Sequence, residues 1–156
     1  MRPDTASDAG PVLGQLRTLL LLVAVIGMAG TAVDLLLLEH YEDIWQAPPL
    51  IVVGLGLVVA GWAWYSGSAT AVLAMRITMV LFLATGAAGL VLHYDGNSEF
   101  QREMDPALDG WALFVKVIRA KAPPALAPAA IIQIGLLGLL YTFRHAALAR
   151  APRDDS

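Results

Sequence analysis

Residues 18–38 read TLLLLVAVIGMAGTAVDLLLL, 21 consecutive positions in which Asp34 is the one charge. About 20 apolar residues suffice for a helix to cross the hydrocarbon of a bilayer, so this run predicts a spanning helix. A second run at 70–92, TAVLAMRITMVLFLATGAAGLVL, is 23 residues long with Arg76 as its one charge. Two shorter runs complete the set: 50–65, 16 residues, and 125–143, 19 residues that include Pro128 and Gln133. Pro48-Pro49 and Pro123-Pro124 precede them, and proline is tolerated in a first helical turn, where its missing N–H is not needed. The expected fold class is all-α: a polytopic membrane protein whose transmembrane helices over 18–38, 50–65, 70–92 and 125–143 form a four-helix bundle.

The runs are linked by a pattern that occurs twice. Gly27-Met28-Ala29-Gly30, His40-Tyr41-Glu42 and Ala47-Pro48-Pro49 are answered by Gly86-Ala87-Ala88-Gly89, His93-Tyr94-Asp95 and Ala122-Pro123-Pro124. Two tandem hairpin repeats follow, related by an axis near the membrane normal. His40 to Ala47 is 7 positions and His93 to Ala122 is 29, so the second hairpin carries an insertion over 97–121. Within it Leu108, Trp111, Phe114, Val115 and Ile118 share one face opposite a polar stripe, which predicts an amphipathic helix at the outer interface.

Composition supports the class. The chain has 156 residues, 58% hydrophobic and 15% charged, against roughly 25% charged in a soluble domain. A net charge of −3, with scattered basic residues, gives no footprint for nucleic acid. There are no cysteines, which removes disulfides, thiolate metal sites and thiol redox chemistry. The long first run, with no small-residue cleavage pattern after it, predicts a retained anchor. Arg2, Arg17, Arg76, Arg144, Arg150 and Arg153 fall on one side; Arg102, Lys116, Arg119 and Lys121 fall on the other with most of the acids. The positive-inside rule then places both termini in the cytoplasm.

Polar residues inside the runs are the candidate site, because each costs a few kcal/mol in hydrocarbon unless paired or wet. Asp34, Thr31, Thr85 and Gln133 all fall in the outer halves of their helices and define a candidate ion or ligand pocket, with Asp34 at its centre. The competing reading has Asp34 protonated and hydrogen-bonded to Thr31 or Gln133. Pro128 adds a carbonyl that lacks its usual donor. Arg76 lies too far down its helix to pair with Asp34 and is expected to snorkel to the headgroups.

His40, His93, Glu39, Glu42, Glu99 and Glu103 carry the donor types that bind zinc, manganese or iron, and two histidines would suit a haem. Against this, no His-x-x-x-His or Glu-x-x-His spacing is present, and Tyr and His at a membrane boundary also act as anchors. Glu99 and Glu103 follow Asn97-Ser98, read as the start of a short helix. The sequence requires no cofactor. Small-residue pairs at Gly27 and Gly30, Gly54 and Gly61, Gly86 and Gly89, and Gly135 and Gly138 suit close helix packing, within the bundle or in a homo- or hetero-oligomer. With no catalytic constellation, the expected role is a non-enzymatic accessory or interaction subunit; the alternatives are cation or small-ligand binding at Asp34, and a metal or haem redox subunit.

Overall fold

A computed structural model describes residues 5–121, 124 and 126–149, with side chains from Gly10 onward. Ala122, Pro123, Ala125, Arg2, Arg150, Arg153 and Ser156 lie outside the described residues. The elements of the described residues are helices: α1 Thr5–Leu37, α2 Ala47–Ser66, α3 Ala69–Met104, α4 Gly110–Ile118, α5 Ala129–Thr142 and the short α6 Ala146–Ala149. Three of these, α1 from Gly10, α2 and α3, are long and apolar enough to cross a membrane. Large apolar side chains such as Ile26, Val58 and Ile77 remain exposed on them, as contact with lipid requires.

Local chemistry sets the ends. Pro48 and Pro49 occupy the first turn of α2, lengthening it to 20 residues, about 30 Å at helical rise. Gly67 stops it in the left-handed region at φ 55°, its N–H reaching Ala63 O at 3.1 Å. Ser68 Oγ then accepts from Ala71 N at 3.2 Å and starts α3, so two residues turn the chain. α1 ends in the same left-handed manner without glycine: Glu39 has φ 52°, with Glu39 N donating to Leu36 O and His40 N to Leu35 O.

The boundaries differ from expectation in three places, the first being α1, which starts at Thr5 and not at Thr18. α3 does not end at Leu92; it continues to Met104, 36 residues in all or about 54 Å. His93, Glu99 and Glu103 therefore share one continuous helix, and only the later part of 97–121 forms a separate element. Asn97 and Ser98 are buried on α3, while Leu113 and Val117 are buried on α4 and Tyr94 meets Phe114 with ring centroids 6.3 Å apart. Tertiary packing overrides the local break signal of Gly96-Asn97-Ser98. The buried stripe of α4 is thus Leu113 and Val117, and Trp111 is left exposed.

The fourth apolar run yields a helix of 14 residues, about 21 Å, shorter than the hydrocarbon. Pro128 sits at its start, not inside it, preceded by tight turns in which Ala127 N bonds Pro124 O and Ala129 N bonds Leu126 O. Proline cannot donate to the carbonyl four residues back, so the regular helix begins only after it.

α1 packs on α2 and α5, and α3 packs on the same two helices. Their common centre is filled. A Cβ on Gly56 would fall 2.6 Å from Met28 Sδ and 2.8 Å from the Phe82 ring, and one on Gly138 would collide with Met79. Met28, Met75, Met79 and Phe82 are fully buried. Gly86 and Gly135 let α3 and α5 approach until backbone atoms limit the contact.

Candidate functional site

His93 and His40, 53 residues apart in sequence, meet at one end of the bundle with ring centroids 6.5 Å apart and planes tilted by 53°. Each position has a local cause. His40 follows Glu39 in the cap that closes α1, so the left-handed turn fixes where its Cα points. His93 lies on α3 one residue past the apolar stretch, and its Nδ1 is 3.0 Å from Pro124 O. That carbonyl also accepts from Ala127 N at 3.2 Å in the turn that leads into α5, so it is not the unfilled acceptor that Pro128 was expected to leave. A carbonyl only accepts, so Nδ1 is the donor of this bond.

The arrangement holds two imidazoles with different constraints. Burial, and secondarily the neighbouring His93, push the His40 pKa below its ordinary value of 6.5 and favour the neutral ring. A ring whose one nitrogen is tied to a backbone carbonyl, as His93 Nδ1 is to Pro124 O, is held as metal-bound histidines are held by their second nitrogen. In the same loop the Gln46 side-chain oxygen is buried without a hydrogen-bond partner. Glu39 and Glu42 are exposed, and among the described residues no three His, Asp or Glu side chains come together to hold a metal ion. Glu99 and Glu103 line an open groove of about 500 Å³ along α3 with Asp95, Ser98 and Arg102.

The apolar-run polar residues are distributed otherwise. Asp34 and Gln133 are exposed on the outside of the adjacent helices α1 and α5, while Thr31 and Thr85 are half-buried. No hydrogen bond joins any two of these four residues among the described residues. Gly30, one turn before Asp34, has nothing within 4 Å of its Cβ position.

At the opposite end three arginines gather around the last turn of α5. Arg76 donates from Nη2 to Thr142 O at 2.7 Å and from Nε to Thr142 Oγ1 at 3.4 Å. Arg17 donates from Nη2 to Arg144 O at 2.8 Å and Phe143 O at 3.3 Å. Instead of simply snorkelling, Arg76 caps the negative end of a helix dipole on a neighbouring element. The sequence signal for this contact is a helix with no basic residue in its own last turn. Comparison of the chain with family models, with curated proteins and with solved structures gave no match.

Proposed function

We propose that this protein is a non-enzymatic accessory subunit of a membrane assembly: a packed four-helix bundle of two tandem hairpins that docks a partner helix on its α1/α5 face. The observation that carries the reading is the outward placement of Asp34 beside the open Gly30 notch. A carboxylate in an apolar helix gains from a hydrogen bond supplied by a neighbour, and small residues let that neighbour approach. The filled centre at Met28, Gly56 and Phe82 speaks for a scaffold in preference to a conduit. The pairwise packing of α1 and α3 on the same two helices is what a twofold relation of hairpins would give.

Photo-crosslinking in native membranes tests it. A crosslinker at Leu37 on α1 should capture a partner, a second copy included, and one at Tyr65 on α2 should not. Asp34→Leu should abolish the product while the thermal midpoint of the isolated protein stays within a few degrees. Absence of any Leu37 product removes the docking reading. A pH-dependent ligand-binding or transport activity lost in Asp34→Asn would put the ion-binding alternative in its place.

A second reading rests on the His40 and His93 geometry. Two imidazoles bound on opposite sides of one metal, with metal–nitrogen bonds of about 2 Å, have ring centroids about 6 Å apart, close to the observed separation. Haem or a metal would complete its coordination from its own ring or from solvent. Co-purifying metal or a haem absorption band, lost in both His40→Ala and His93→Ala, is the expected outcome for that reading.

A further inference from the structure

The arginine end of the bundle contains a groove of about 720 Å³ between α3, α5 and α6. Its lining combines Arg76, Arg144 and His145 with Leu139, Phe143 and Leu148. We propose that this groove binds an anionic glycerophospholipid, with the headgroup phosphate on Arg76 and Arg144 and an acyl chain along the leucines and Phe143.

Charge accounting favours an anion. The C-terminus of α5 presents about half a negative charge through its open carbonyls. Arg17 and Arg76 already meet those carbonyls, and Arg144 adds a third guanidinium. Among the described residues none of the three pairs with a carboxylate, and no acidic side chain lines the groove. Donors also remain free. Arg76 spends Nε and one N–H of Nη2 on Thr142, keeping its Nη1 hydrogens, and the Arg144 side chain makes only a ring contact, 5.6 Å above Phe143. A planar fork with unused parallel donors matches the oxygens of a phosphate.

The groove also lies near one end of the apolar helices. α5 stops at Thr142, and Arg76, which bonds it, is six residues past the start of the apolar run of α3 at Thr70. Basic and apolar side chains in one groove match a ligand that has both an anionic headgroup and a tail. A soluble phosphate would use only the basic ones.

The test uses the full chain in neutral detergent, with phosphatidylglycerol or phosphatidylcholine added, read by native mass spectrometry and by thermal midpoint. Phosphatidylglycerol should be retained preferentially and should raise the midpoint. Arg144→Gln should weaken its binding about fivefold, the equivalent of about 1 kcal/mol for one basic residue at a lipid surface. Arg144 is chosen because its side chain does not clamp α5, whereas Arg76→Gln would also loosen the fold. Arg144→Lys should recover most of the loss. Equal retention of the two lipids, or an unchanged affinity in Arg144→Gln, overturns the proposal. Inorganic phosphate displacing phosphatidylglycerol at comparable concentration would also overturn it, since the site would then be one for a free anion.

Discussion

His40 and His145 sit just outside the apolar helices at opposite ends, and both have pKa values lowered from 6.5, first by burial and then by a neighbouring basic side chain, His93 for one and Arg17 for the other. The sign of the consequence is fixed. As pH falls through 6.5 the unfolded chain takes up protons on these rings before the folded chain does, so stability drops on acidification. The loss levels off below the lowered folded-state values. A thermal midpoint followed from about pH 8 to about pH 5 should therefore decline, and His40→Gln with His145→Gln should flatten the upper part of that decline. An identical profile in the double variant would show that carboxylates alone set the acid response. His40 was legible as a boundary residue in the sequence. What was not legible was His93 taking the carbonyl of Pro124, because that bond joins α3 to the turn before α5, whose placement no local pattern specifies.

At the scale of the element, the glycines sort by what surrounds them. A Cβ on Gly86 would lie 3.1 Å from both Pro128 O and Ile132 N, which are backbone atoms that cannot swing aside, whereas Gly54 and Gly61 have nothing within 4 Å. Gly86→Ala should destabilise the protein by about 1–3 kcal/mol through overpacking. Gly54→Ala should be neutral or gain up to about 1 kcal/mol from helix propensity. Thermal midpoints in detergent distinguish them. The spacing of Gly86 and Gly89 and of Gly135 and Gly138 marked a true close approach of α3 and α5. Gly54 and Gly61 make no such approach within the bundle, and the spacing passed over Gly56, which faces Met28 and Phe82. Small residues permit an approach; only the rotation of the helix about its axis decides which of them meets a neighbour. Helix ends were readable where proline, glycine and serine act within one turn, as at 48–49 and 66–68. They were misread after Leu92, where burial against α4 carries α3 onward.

For the whole molecule, the arginine and histidine ends are the two faces it would present across a bilayer. Single cysteines can be introduced into this cysteine-free chain at the exposed positions Ser66 and Glu103, in the α2–α3 turn and near the far end of α3. With the arginine end cytoplasmic, as the positive-inside rule favours, an impermeant thiol reagent should label Glu103→Cys in intact cells and Ser66→Cys only after permeabilisation. The reverse pattern would invert the protein and move the proposed lipid groove to the other leaflet. The apolar runs conveyed the class of the molecule at once, since hydrocarbon thickness is a strong filter on length. Function was far less legible, because Asp34 and the histidines acquire meaning only from neighbours on other helices. The bond between His93 and the Pro124 carbonyl also bears on how such a chain can change over generations. The Pro124 carbonyl already accepts from Ala127 N at 3.2 Å, and the imidazole at 93 takes its second lone pair. Losing the ring therefore leaves that carbonyl satisfied and removes only the tie between α3 and the turn that leads into α5. Position 93 should drift more freely than Gly86, whose replacement forces backbone atoms apart.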